Sequence, residues 1–132
     1  MPDTTFKSLG EKVTKFAGFD TFPTHQTLES VIFEIEDFAS VCPVTGQPDF
    51  SSVTITLCPN GKGLETKTLK LYLETFRDRG IFCEDLATTI LADLTVALNP
   101  LFLEVIVSQH VRGGIGTTAI AGTSSFTMGV GG

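Results

Sequence analysis

The amino-acid sequence predicts an α+β fold: an antiparallel sheet of four strands with two helices on one face, in the order strand, strand, helix, helix, strand, strand. Three observations lead to this. Segments on either side of the chain's middle alternate apolar and polar residues with the two-residue period of half-buried strands. The middle itself spaces leucine, isoleucine and phenylalanine three to four residues apart, as one helix face requires. Glycine, proline and asparagine fall at the joints between these segments. A length of 132 residues suits one domain and argues against a separate cofactor module.

Residues 1–27 carry Phe6, Phe16, Phe19 and Phe22 without periodicity and read as an arm whose aromatics pack on something else. Residues 28–121 read as the single folded domain. Its first strand is expected at Leu28–Asp37 and its second at Ser51–Cys58, where SSVTITLC alternates most cleanly. Between them CPVTGQPDF, with two prolines and a glycine, is expected to hold a stiff irregular loop. After the turn Pro59-Asn60-Gly61, a helix is predicted over 66–79 with Leu69, Leu73 and Phe76 on its buried stripe, Thr66 as N-cap and Gly80 as its end. A second helix over 82–98 presents Leu86, Ile90, Leu94 and Leu98, then stops at Asn99-Pro100. Strands at Leu101–Val111 and Ile115–Ala121 flank Arg112-Gly113-Gly114, and residues 122–132 form a Gly/Ser/Thr tail. Such a sheet has two open edges, which invite pairing with further copies, so a ring-forming homo-oligomer with ligand sites between subunits is expected.

Fifteen acidic against nine basic residues give a net charge of −6, which disfavours a nucleic-acid surface. Five of the cations, Lys62, Lys67, Lys70, Arg77 and Arg79, are nonetheless concentrated within one stretch, as a small anionic ligand would require. Three cysteines make a poor disulfide scaffold, and MPDTTFKSLGEK has no apolar signal core, so a reducing cytoplasmic setting is expected. The uncharged stretch 113–132 contains seven glycines and six Ser or Thr, too polar for a membrane span. Neither His25 nor His110 has metal-ligand spacing, and no metal site is expected.

The chemistry concentrates in CPVTGQPDF. A cysteine before proline is biased to extended backbone, and the Gly-Gln-Pro bend can return Asp49 towards Cys42. Two readings follow: a buried structural thiol beside a turn-forming Asp, or a nucleophile beside a proton donor. The second requires activation, because a thiol with an ordinary pKa near ~8.5 is only a few per cent ionised at neutral pH.

The loop CPVTGQPDF, then Glu65-Thr66-Lys67-Thr68-Leu69-Lys70-Leu71-Tyr72, then Phe82-Cys83-Glu84-Asp85, resembles the NADPH-dependent 7-cyano-7-deazaguanine reductases, the nitrile reductases of queuosine biosynthesis, over about 22–115. The resemblance implies the tunnelling fold (T-fold) shared with GTP cyclohydrolases and a homo-oligomer, a decamer of two pentamers. It implies that Cys42 adds to the nitrile to give a thioimide, that Asp49 donates a proton, and that two NADPH molecules carry the carbon to the amine. It places Glu84 at the carboxylate that anchors the guanine-like base, with Glu65 and Cys83 also at substrate positions. Lys67 and Lys70 fall in the cofactor motif, three apart near a helix start, where ammonium groups and free amides can face phosphate together; alone, they read as a solvated face. Arg112, in Arg112-Gly113-Gly114-Ile115, is similar to a family segment that would assist phosphate binding.

The sequence departs from the family at Cys83, where histidine is usual. A thiol is a poorer proton source, and a reversible Cys42–Cys83 disulfide is a further expectation. Two other readings of the chain stand beside the reductase: an archaeosine-forming amidinotransferase acting on a nitrile in tRNA, and a non-catalytic purine-binding assembly.

Overall fold

In a computed structural model, residues 15–123 are described, so Phe6 and the tail beyond Thr123 lie outside the described residues. A four-stranded antiparallel sheet runs in the order β2 (Val31–Val41), β3 (Pro48–Cys58), β5 (Phe102–Arg112), β6 (Ile115–Gly122). Two short strands, β1 (Thr21–Pro23) and β4 (Lys62–Leu64), form a separate ribbon that aperiodic phenylalanines in the arm do not announce. Phe22 is paired with Gly63, where a Cβ would lie 2.7 Å from its ring, so only glycine fits beneath it.

The helices are α1 (Thr66–Glu74) and α2 (Cys83–Leu98). Their buried residues Leu69, Leu73, Leu86, Ile90, Leu94 and Leu98 share one core with Val53, Ile55, Leu57, Leu103, Val105 and Val107 of the sheet. Those sheet residues are alternate positions of β3 and β5, so they lie on one face. Phe16 and Phe19 of the arm pack against Tyr72 of α1, with ring centroids 5.4 and 4.9 Å away.

Three predicted boundaries are corrected. The N-cap of α1 is Glu65, not Thr66, because its longer carboxylate reaches back to two amides. The helix ends at Glu74 rather than Arg79: the Thr75 hydroxyl donates to the Tyr72 carbonyl at 2.6 Å, and the following residues continue in tight i→i+3 turns that keep Phe76 buried. β3 starts at Pro48, so the predicted irregular loop shrinks to the tip of a hairpin.

Two bulges decide which side chains face the helices. In β2, the register slips by one residue between Ile35 and Phe38, with Asp37 at φ 54°. Asp tolerates this left-handed backbone better than most residues. Before the bulge the odd-numbered positions of β2 are its more buried ones; after it Phe38, Ser40 and Cys42 are buried instead. A second slip, between Gln109 and Arg112 of β5, likewise inserts one extra residue and changes the face on which Arg112 emerges.

Asp37→Val is expected to cost about 1–2 kcal/mol relative to Asp37→Gly, because only glycine takes the left-handed conformation without a Cβ penalty. Urea midpoints of the two variants measure the difference.

Candidate active site

The β2–β3 hairpin builds the setting of Cys42. The Cys42 amide donates to the Gln47 carbonyl and the Gly46 amide to the Cys42 carbonyl, both at 2.8 Å. Gly46, at φ 76°, supplies the left-handed residue that closes this tip. The strap after α1 secures the hairpin's base: Val41 donates to the Arg79 carbonyl and Ile81 to the Val41 carbonyl, both at 3.1 Å. Gly80 lies so close that a Cβ there would sit 3.3 Å from Pro43 Cα. Cys42 is thereby fixed in a buried position at 4% exposure.

Its thiol is lowered to about 7. The largest cause is a hydrogen bond from the Thr45 side chain, followed by the Thr45 and Val44 amides and the Arg112 side chain, with burial opposing them. The predicted need for activation is therefore met mainly from within the turn. Thr45 is a candidate residue that reading the sequence missed; its signal was a hydroxyl three residues after the cysteine in a turn that must fold back.

Asp49 stands beside this group. It pairs across the strands with Ser40, two residues before Cys42, and both residues are buried on the helix side. Arg112, from the far end of β5, reaches both: Nη1 donates to Asp49 Oδ1 at 2.5 Å and Nη2 faces Cys42 Sγ at 3.7 Å. Arg112, expected at cofactor phosphate, is engaged with the Cys42–Asp49 pair in the chain without ligand.

The other expected site residues stand apart from that pair. Among the described residues, Glu65, Glu84, Lys67 and Lys70 make no hydrogen bond or ion pair with the side chains of Cys42 or Asp49. Glu65 accepts from the Lys67 and Thr68 amides at 2.8 Å, so those amides are not open to an anion as expected. The exposed Lys67 and Lys70 ammonium groups remain as the cationic donors of this helix start. Lys70 borders a groove of about 520 Å³ between β2 and α1. Glu84 lies exposed in the first turn of α2, a favourable place for an acid.

Cys83 is bonded to the sheet. Its sulfur donates to the Val107 carbonyl at 3.5 Å, and burial, then the Glu84 charge, raises its pKa. Cys42, Cys58 and Cys83 are all free thiols in the described chain, so the expected Cys42–Cys83 disulfide is not formed.

Comparison with known proteins assigns the family. A family model described as QueF-like protein matches residues 48–126, more than half of the chain. The chain belongs to the QueF-like family. A protein of Frankia casuarinae named NADPH-dependent 7-cyano-7-deazaguanine reductase is 49% identical over 107 residues, covering 81% of this chain and 83% of that one. Proteins of the same name from Helicobacter pylori and Thiobacillus denitrificans are 40% and 37% identical, covering 86% and 92% of this chain and 82% and 81% of theirs. Among solved structures, the apo form of the archaeosine synthase QueF-Like superposes with a TM-score of 0.69 at 26% identity, covering 74% of this chain and 95% of that one. The α+β T-fold predicted from the sequence is thus the fold of this QueF-like chain.

Alkylation of Cys42 by iodoacetamide, followed on its own peptide by mass spectrometry, is expected to rise with pH through a midpoint near 7, because the thiolate is the reacting form. Thr45→Val removes the largest stabilising hydrogen bond and is expected to move that midpoint upward.

Proposed function

We propose that this chain is an NADPH-dependent nitrile reductase that converts 7-cyano-7-deazaguanine to 7-aminomethyl-7-deazaguanine, with Cys42 as nucleophile. The observation that carries the reading is a buried sulfur lowered to about 7, held beside Asp49, in a chain up to 49% identical to proteins named for this activity.

The sulfur lone pair forms a bond with the nitrile carbon while one π bond of C≡N opens towards nitrogen, giving a thioimide on Cys42 once nitrogen receives a proton. Asp49 supplies it. Arg112 has only donors to offer, so Asp49 Oδ1 serves it as acceptor, and Oδ2 is the oxygen left to relay a proton to the nitrogen. The same hydrogen bonds that stabilise the thiolate for attack stabilise it as leaving group when the C–S bond breaks.

Bound NADPH supplies one hydride per molecule, and two are needed between nitrile and primary amine. The exposed Lys67 and Lys70 fit its phosphates by charge, through their side chains. Glu84 accepts two parallel hydrogen bonds from the ring N–H and exocyclic amine of the base, and Glu65 and Cys83 border the same ligand. Cys83, buried and bonded to β5, shapes this border rather than supplying a proton.

Because Glu84 and the lysines make no hydrogen bond or ion pair with Cys42 among the described residues, completion of the working site between copies is part of the proposal. The open edges of β2 and β6 offer the pairing, and a decamer of two pentamers is the assembly proposed. Its product is made as a free base, which accords with the net charge of −6. No helix among the described residues is long and apolar enough to cross a membrane, and a cytoplasmic location is proposed with the free thiols in view.

Absorbance at 340 nm is expected to show two NADPH consumed per nitrile base; no substrate-dependent consumption would leave the amidinotransferase or a non-catalytic purine binder in its place. Cys42→Ala is expected to lower turnover at least ~10³-fold. Lys70→Ala should raise the KM for NADPH about three- to tenfold with kcat little changed, as loss of one exposed charge-assisted contact implies.

A further inference from the structure

Arg112 lies outside the buried hydrophobic core. Its side chain is 47% exposed at the mouth of the β5–β6 hairpin, whereas the carboxylate it binds is 7% exposed. The chain nevertheless inserts an extra residue into β5 immediately before it, which turns Arg112 towards the helix side of the sheet, where Asp49 and Cys42 are buried. Gly113 and Gly114, at φ 57° and 81°, then close the hairpin directly behind it.

One guanidinium serves two acidic partners on another hairpin. Its planar fork presents separate N–H groups in fixed directions, which one ammonium cannot reproduce. Nη1 is held on Asp49 Oδ1 at 2.5 Å while Nη2 faces Cys42 Sγ at 3.7 Å. Without this cation a carboxylate would stand beside a sulfur that has to carry negative charge, and like charges disfavour one another.

We propose that Arg112 is a positioning residue that ties Cys42 to Asp49, so that the sulfur can be anionic while the carboxylate stays within proton-transfer range. The tie deepens the reductase reading and rests on it, but it acts on the free enzyme before any ligand arrives. The donors of Thr45 and the turn amides lower the sulfur most, and the Arg112 side chain adds to them; because the same guanidinium also binds Asp49, one cation answers both negative charges. Arginine, not lysine, is required for the full effect, because the two partners are met by different nitrogens.

The test reads the pH profile of Cys42 alkylation by iodoacetamide on its own peptide, in the full chain without nitrile or NADPH. Arg112→Met is expected to raise the midpoint by about one pH unit, which lowers the alkylation rate at pH 7 about fivefold. Arg112→Lys should restore part of the shift, and in an Asp49→Asn background the Arg112→Met shift should shrink to less than half. Circular dichroism verifies that each variant retains the fold. A profile for Arg112→Met that superposes on the parent overturns the tie, and so does an equal shift with Asp49 and with Asn at that position. If these profiles shift as stated while the parent fails to consume NADPH with the nitrile base, the tie stands and the reductase reading falls.

Discussion

A sulfur that must ionise cannot simply be buried, because an apolar interior favours the neutral thiol. Cys42 is 4% exposed and still lowered to about 7, so the cost of removing water has been more than offset by fixed donors. Most of those donors belong to residues 44 and 45, in the turn that also sets the position of the sulfur. Local folding and activation are therefore one event. The turn that satisfies the Cys42 amide and carbonyl also carries Val44 and Thr45, whose donors lower the sulfur. Donors fixed in this way do not have to reorganise when charge develops, which is what electrostatic preorganisation requires.

Strand geometry supplies the second half of the arrangement. Side chains alternate strictly across a sheet, so a one-residue insertion transfers every later side chain to the other face. The bulge at Asp37 does this to β2 and brings Cys42 to the helix side; the bulge before Arg112 does it to β5. Asp49 needs no such device, since it lies in register with Ser51, Val53 and Ile55 of β3, all buried. Three strands thus aim three polar side chains at one point at the end of the sheet. The strap 79–81, pressed against Pro43 through Gly80, prevents the hairpin that carries Cys42 from swinging away.

Much of this was legible in the sequence, and the exceptions have physical causes. The six main elements follow from periodicity because each buries one face, and α2 could be read almost to the residue since Asn99 in a left-handed conformation and Pro100 end it. Cys42 and Asp49 could be paired because Pro and Gly restrict the chain between them. The β1–β4 ribbon was hidden because three-residue strands are too short to show a period. The bulges were hidden because an inserted residue imitates imperfect alternation, as LESVIFEIED does. The place of Arg112 followed from a bulge and was hidden with it. Glu65 was placed at a substrate position by the resemblance, and its capping of α1 was hidden because Thr66 offered the more usual cap residue.

The division of the expected site residues is itself informative. Cys42, Asp49 and Arg112 meet within one chain, while Glu84, Lys67 and Lys70 stand exposed near the starts of the two helices. A small single-domain chain has little concave surface of its own, so joining these halves across subunits is an economical way to enclose a purine. The central claim is a bond between Cys42 sulfur and a nitrile carbon, and mass spectrometry of the protein incubated with 7-cyano-7-deazaguanine in the absence of NADPH tests it most directly. The account predicts one added nitrile base per chain, localised to the peptide containing Cys42 and lost on reduction with NADPH. An unmodified Cys42 peptide in a preparation that reduces the nitrile would contradict it.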